Sequence, residues 1–584
     1  MAVLFFIGLA LIAYILAGRY YSRFLAKEMG EDSCLATPAH TVNDGRDFVP
    51  TKPHVLFAHH FSAIAGAGPI VGPTMAILYG YVPAWLWIVL GGIFIGAVHD
   101  YLSLFICMRE GGKSMAEVAR KTLGPTGFTL FILFTIVMLV LVTSSFLTMV
   151  SVSLTSLWPL AKLGLAEDQT LLKTMTVNGV VMGRIGGIAS MSVIIITATS
   201  PFLGWLIYKK NISHWVSYPL AAFICIFSII AGIHFPITLS SNVWTVIISI
   251  YVFFAAGVPV WVILQPRDFI NVQILYAGIL LLLAGLLVAG FTGSPIQMPV
   301  TNLKEGVANL GFIWPMMFIM VACGAISGFH ALVAGGTTGK QLFNECDARR
   351  IGFNAMLLES ILAVAVLMAL CVGISFADYK TIVFPVATGV KSNPVLAFSL
   401  ATGHLVNSTL KIPMDLGTVF GVLLVEGFVI TTLDAAVRLN RYLFEELWEI
   451  VFEKPPKLLR NYWFNSGLSV ALMWVLAYTN AFSALWPIFG SANQLLSALT
   501  LLTITAWLMA RGKKYVFALA PAIFMMVTTI ASLFILLKKY YLAGNYTLIV
   551  TDLLLLGLSV GVIVLMVSKI SGKMKIEEQN NSSA

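Results

Sequence analysis

The sequence predicts an all-α polytopic membrane protein of about fifteen transmembrane helices, arranged around two inverted halves of five helices each. Three observations predict this. The chain is too apolar to be solvated by water. Its positive charge alternates from gap to gap. Two of its apolar runs are interrupted by glycine and proline, five spans apart.

Of 584 residues, 59% are hydrophobic and 10% charged, against about 25% charged in an ordinary soluble domain. The mean hydropathy is +0.92. So few charges cannot cover so much apolar surface in water, so lipid is the solvent for much of the chain. The formal charge of +9 does not point to nucleic acid, because the basic residues fall in the gaps between apolar runs. Six cysteines, with no CxxC pair, argue against a disulfide framework or a zinc site, and no metal ligands are expected. The first residues run straight into an apolar stretch without a basic lead or a small-residue cleavage site. They read as a retained helix, not a signal peptide.

Runs of about 17–25 apolar residues, the length that crosses a bilayer, recur in order. They are 2–18, 55–80, 83–108, 126–154, 186–208, 215–233, 242–264, 272–290, 312–334, 354–375, 413–437, 463–480, 481–509, 515–537 and 547–568. With the N-terminus outside, about 26 Lys and Arg lie on the cytoplasmic gaps and tail and about 9 on the other side. Arg109–Lys121, Lys209–Lys210, Arg267, Lys340–Arg350, Arg438–Arg460 and Arg511–Lys514 supply that bias gap by gap. The C-terminus is then cytoplasmic. The longest gaps, 19–54 and 376–412, are too short for a soluble domain of 50 residues or more, so the function resides within the membrane.

The second span carries Gly66-Ala67-Gly68-Pro69 and Gly72-Pro73, and the seventh carries Gly257-Val258-Pro259-Val260-Trp261. Proline removes a backbone donor and glycine leaves helical geometry cheaply. In lipid, such unwound backbone persists only against protein or a water-filled cavity. Two breaks five helices apart lie in spans of opposite direction, which is the pattern of an inverted repeat with its site at the midplane. The expected organisation is residues 1–54 as N-terminal helix and loop, 55–437 as the ten-helix core, and 438–584 as about four accessory helices and a tail.

At Ala58–Pro73 (AHHFSAIAGAGPIVGP) the chain resembles the carbon starvation protein A family of bacterial transporters. Pro259–Asp268 (PVWVILQPRD), Ala322–Thr338 (ACGAISGFHALVAGGTT), Met356–Ser360 (MLLES), Asp434–Arg438 (DAAVR) and Trp486–Gln494 (WPIFGSANQ) extend the resemblance along the core. It implies a relation to the amino acid–polyamine–organocation superfamily and its LeuT-type repeat. It further implies import of short peptides, or proton-coupled import of pyruvate, across the bacterial inner membrane.

Ionisable groups inside spans are costly, about 2.5–3.5 kcal/mol near a helix centre on insertion scales, and so are functional candidates. The substrate candidates are His59, His60, Ser62, Ala65, Gly66, Gly68 and Pro69 around the first break, with Gly257 and Pro259 at the second. Exposed N–H groups at the head of a half-helix suit a substrate carboxylate. The coupling-ion candidates are Asp100, Glu359, Glu426 and Asp434, with His330, and with Ser327 and Ala63 where the resemblance implies a sodium site. Structural alternatives stand beside these: a helix-end salt bridge for Asp100, an i,i+4 pair between Asp434 and Arg438, and interhelical glue for Asn493 and Gln494. No Walker A sequence, HExxH or nucleophile elbow occurs. The expectation is therefore a secondary active importer rather than an enzyme. It needs no cofactor beyond a coupling proton or sodium ion, and no nucleic-acid partner. A sodium symporter of the same fold and a gated anion channel are the competing functions, and oligomerisation stays open.

Overall fold

The computed structural model describes residues 1–584 apart from 45–47, 164, 166–171, 211, 260–261, 387–389 and 583–584, and apart from the side chains of 58, 208, 214 and 569–582. The chain is mostly helical. Among the described residues, eleven helices are long and apolar enough to span a membrane, and a bent pair makes a twelfth. These begin with Ala2–Met29, Tyr81–Arg109, Pro125–Ser153, Ile185–Ile207, Trp215–His234 and Leu264–Thr292. Arg349–Gly373, Met414–Val451, Phe482–Ala510, Val516–Leu542 and Tyr546–Ser568 complete them. Ser241–Gly257 and Tyr462–Thr479 are shorter apolar helices that match expected spans.

The first break forms as the residues dictate. Helix Pro53–Ile64 stops where Ala65 leaves helical geometry (ψ 61°), and a new helix, Gly68–Ala76, starts at a 44° bend. Pro69 stands in the first turn of that new helix, where its missing N–H costs nothing.

Its partner is not the expected one. Helix Ser241–Gly257 simply ends at Gly257, whose missing side chain makes room for Trp463. Val260 and Trp261 lie outside the described residues. The ninth expected span is the one that breaks: Ile313–Met320 and Phe329–Gly336 are separate helices, and residues 321–328 between them are non-helical. The two broken helices run antiparallel. His60 meets Thr338, Gly68 meets Cys323, Gly72 meets the backbone of Met320 and Val321, and Tyr79 meets Gly311. The breaks at 65–67 and 321–328 therefore face each other.

Three further differences matter. The expected seventh gap is helical: Leu264–Thr292 includes Arg267, a buried residue rather than a cytoplasmic loop cation. The gap 376–412 contains two helices, Phe376–Val383 and Pro394–Leu410, and the second is largely buried against Met414–Val451. At 17 residues it rises about 25 Å, short of the roughly 30 Å hydrocarbon core. The chain is also not purely α. A small antiparallel sheet follows helix Pro125–Ser153, formed by β1 (Trp158–Pro159), β2 (Thr174–Val177) and β3 (Val180–Gly183) in the order β1-β3-β2. Asn178 and Gly179, both at positive φ, close the β2–β3 hairpin as a two-residue loop requires.

Helices pack in ordered pairs around the broken ones. Tyr81–Arg109 packs on Arg349–Gly373, Pro125–Ser153 on Met414–Val451, and Ser241–Gly257 on Tyr462–Thr479. Glycines set the first of these approaches: Gly92 abuts Ser360, and Gly96 abuts Ala325 and Met356.

Candidate functional site

The site lies where the two breaks meet. Ala65, Gly66, Ala67, Gly68 and Pro69 are all buried. A β-carbon on Gly66 would come 3.0 Å from Thr432 Oγ1, and one on Gly68 would collide with Cys323. These glycines therefore serve backbone proximity, not only local bending.

The two breaks differ in how their backbone is satisfied. At 321–328 and its edges buried side chains take up several freed carbonyls, while the amides of residues 322–327 meet no acceptor among the described residues. Trp486 Nε1 donates to Met320 O (3.2 Å), Gln494 Nε2 to Val321 O (3.1 Å) and Phe318 O (2.7 Å), and Asn493 Nδ2 to Ala322 O (2.8 Å). Ser360 Oγ donates to Gly324 O (2.8 Å), and the amides of Gly328 and Phe329 donate to the carbonyl and side-chain oxygens of Asn493. Ser327 exchanges a hydrogen bond with Asn493 as well. At the first break, Ala65 and Gly66 donate to Phe61 and Ile64, but the amides of Ala67 and Gly68 meet no acceptor among the described residues. Buried N–H groups are paired in the great majority of cases. N–H groups at the head of a helix are the kind of donors to which anions bind.

A charged cluster sits against both breaks. His330 Nδ1 is 2.7 Å from Asp100 Oδ2, and Asp100 Oδ1 is 2.7 Å from His99 Nδ1. His330 Nε2 is 3.3 Å from Glu359 Oε2, without hydrogen-bond alignment, and the imidazole also approaches the carbonyl of Ile64 where the first half-helix ends. All four side chains are buried. Cys323 completes the group: its sulfur, an imidazole nitrogen of His330 and a Glu359 oxygen lie within 4.8 Å of one another. Thiolate, imidazole and carboxylate are the donor types that hold a zinc-like ion.

A second buried polar group occupies the other flank of helix Met414–Val451. Arg267 Nη1 donates to Asp434 Oδ2 (2.6 Å) and to the Tyr251 hydroxyl (2.7 Å), and Tyr251 donates to Asp434 (2.6 Å). Asp434 thus pairs with Arg267, not with Arg438. Arg438 instead donates to the carbonyls of Ala255 and Val258, capping helix Ser241–Gly257 together with Arg441 on Ala256. Glu426 lies on the same long helix, its buried carboxyl facing the Ser153 hydroxyl without a well-aligned hydrogen bond.

The expected residues distribute as follows. Ala65, Gly66, Gly68 and Pro69 form the first break, with Asp100, His330 and Glu359 beside it. His60 is buried with Nδ1 on Thr338 Oγ1 (2.9 Å), whereas His59 is exposed and Ser62 and Ala63 keep partial exposure. Gly257 ends its helix against Trp463, and Pro259 follows two residues on. Ser327 is committed to Asn493. Cys323, Ser360, Thr432 and Trp486 did not emerge from the sequence, whereas Asn493 and Gln494 make the interhelical hydrogen bonds expected of them. The available signal was Cys323-Gly324 and Ser327-Gly328 inside an apolar run, without the proline that marked the first break.

The profile of the family "Carbon starvation protein CstA" matches residues 2–388 and 373–532. The peptide transporter CstA of Campylobacter jejuni is 31% identical over 89% of this chain and 78% of its own. The pyruvate/proton symporter BtsT of Escherichia coli is 30% identical over 88% and 79%. The peptide transporter CstA of Bacillus subtilis is 30% identical over 95% and 94%. Among solved structures, the manganese transporter of Eremococcus coleocola aligns over 90% of this chain and 98% of its own, at 11% identity and a TM-score of 0.38. That likeness is too loose to bear on the site.

Proposed function

The chain belongs to the carbon starvation protein CstA family, and from that membership and the open amides of the first break we propose that it is a proton-coupled importer of small carboxylate-bearing nutrients. It is a multi-pass membrane protein whose relatives are named as transporters of peptides or of pyruvate. The observation that carries the reading is the head of helix Gly68–Ala76, where the N–H groups of Ala67 and Gly68 face the second break without an acceptor among the described residues, while side chains brace the carbonyls opposite. A carboxylate supplies the negative charge that a helix N-terminus favours and the acceptors that the two amides lack.

The helix pairing supports an inverted repeat with boundaries other than those expected from the sequence. One half runs from Pro53 to Thr292, with the hairpin of helices Ile185–Tyr208 and His214–His234 inserted. The other runs from Ile313 to Ala510. The first four helices of one half each pack on their counterparts in the other, as an axis between the halves requires. Alternating access then consists of rocking one set of helices about the facing breaks. The loop charges favour an N-terminus outside and a C-terminus in the cytoplasm of an inner-membrane protein.

For the coupling ion we favour a proton carried on Glu426. Its carboxyl is fully buried, facing the Ser153 hydroxyl and no paired cation among the described residues, a setting in which the neutral acid is the form that avoids the cost of a poorly compensated buried charge. The same helix touches the first break at Thr432, which links proton release to the substrate seat.

The test is uptake of labelled pyruvate and of a labelled dipeptide into proteoliposomes, with pH and sodium gradients imposed separately. Accumulation driven by the pH gradient alone is expected. Accumulation driven by sodium alone moves the coupling to the alkali ion, and uptake indifferent to both gradients removes the secondary-transport reading.

A further inference from the structure

Cys323, His330 and Glu359 come from three turns of chain that the sequence keeps apart. Cys323 is in the unwound segment 321–328, His330 is in the first turn of helix Phe329–Gly336, and Glu359 is on helix Asn354–Gly373. Their donor atoms lie within 4.8 Å of one another. Donors around a tetrahedral zinc-type ion are about 3.3–3.8 Å apart, as ligand distances of roughly 2.0–2.3 Å dictate. The His330 Nε2–Glu359 Oε2 separation of 3.3 Å already meets that spacing, and the thiol lies within 4.8 Å of both.

Two independent features point to a ligand at this place. His330 Nε2 and the Glu359 carboxyl are buried, and their 3.3 Å contact lacks hydrogen-bond alignment, an arrangement that leaves buried polar atoms poorly satisfied. In addition, His330 Nδ1 is held by Asp100 Oδ2 at 2.7 Å. A carboxylate on the remote nitrogen orients the ring and raises the basicity of the nitrogen facing the ion, as in metal-bound histidines generally. Asp100 is itself fixed by His99.

We propose that Cys323, His330 and Glu359 form a three-ligand site for a borderline-soft divalent metal ion of the zinc type, beside the substrate seat. The thiolate disfavours magnesium and calcium, and three protein ligands leave a coordination position for water or for an oxygen donor. Cys323 abuts Gly68, so that position is next to the open amides of the first break. Metal binding stands apart from transport; its effect on substrate rests on the transport reading above. Occupancy ties the second broken helix to helix Asn354–Gly373.

The experiment uses the full-length protein, purified, stripped with chelator and titrated with Co²⁺, in a background carrying Cys34→Ser and Cys346→Ser. One equivalent is expected to bind with a thiolate-to-cobalt charge-transfer band, displaced by Zn²⁺ and not by Mg²⁺. Cys323→Ser is expected to remove the band, and Asp100→Asn to weaken binding about 10–100-fold. Absence of the band, or a band that survives Cys323→Ser, overturns the site. Should Cys323→Ser fail to fold, the alkylation rate of Cys323 in the parent protein decides: protection by Zn²⁺ supports the site, and an unchanged rate overturns it. Pyruvate uptake by the same preparation is scored separately. Gradient-driven uptake without metal binding defeats the site and leaves the transporter reading standing, while metal binding without uptake does the reverse.

Discussion

Gly68 is the residue on which the most depends. A β-carbon there lands on the side chain of Cys323, and overpacking of this kind costs about 1–3 kcal/mol. Gly68→Ala is therefore expected to lower thermal stability and cut pyruvate uptake at least tenfold. Cys323→Ala in the same chain should recover part of the stability. If uptake by Gly68→Ala equals that of the parent, the substrate seat is elsewhere. Asn493 is the second such residue. It satisfies Ala322 O, Phe329 N and Ser327 Oγ at once, and each buried group left unpaired costs about 1–3 kcal/mol. Asn493→Ala should destabilise by more than any Leu→Ala change on the lipid face, measured by thermal unfolding in detergent. Glu426→Gln keeps shape and removes the titrating proton. It is expected to abolish uptake driven by a pH gradient while preserving exchange of labelled for unlabelled substrate. Loss of both would make Glu426 structural.

At the scale of elements, helices Leu264–Thr292 and Met414–Val451 are joined by the buried Arg267–Asp434 pair. Removing one partner of a buried pair costs about 3–5 kcal/mol because the other charge is stranded, while removing both is often close to neutral. Asp434→Asn alone should thus be more damaging than the double change Arg267→Met with Asp434→Leu, as read by yield of folded protein and midpoint of thermal unfolding. Additive losses would show that the pair is not coupled. Outside the membrane, Glu110 joins the end of helix Tyr81–Arg109 to Lys121, Trp507 and Arg511. Burial pushes its carboxyl up, but the Lys121 and Trp507 hydrogen bonds and the charges of Lys121 and Arg511 outweigh it and hold the group below its ordinary value. A depressed carboxylate contributes stability above its unfolded-state value, lost as pH falls through the folded-state one. Glu110→Gln should therefore lower stability at neutral pH and flatten its decline in acid. An acid limb as steep as that of the parent would count against this clamp.

For the whole molecule, charge balance across the membrane predicts a cytoplasmic C-terminus, which reporter fusions at Ala584 and in the 294–302 loop should place on opposite sides of the membrane. Reporters on the same side would invert or remove a span. Helix Pro394–Leu410 is where that count is most exposed to revision, because it is long enough to pack like a span but short of the bilayer thickness.

Much of this architecture was written in local chemistry. Lipid as solvent follows from composition, span length from bilayer thickness, and the first break from Gly66, Gly68 and Pro69. Each is a property of contiguous residues, and periodicity or composition reads it directly. The partner of that break was not legible. Residues 321–328 unwind without proline, and they stay unwound because Trp486, Asn493 and Gln494, more than 160 positions away, supply the hydrogen bonds that the helix gives up. Glycine and proline at 257–259 gave the stronger local signal, but they end a helix beside Trp463. Asp434 likewise had Arg438 one turn away and chose Arg267, 167 positions back, because a buried charge takes whichever partner the packing brings within reach. The sequence by itself determined that the chain spans a membrane and where one helix must open. Tertiary structure alone decided which break faces it, which charges are paired, and which freed carbonyls are braced, because those outcomes depend on long-range satisfaction of buried polar groups that no local window contains.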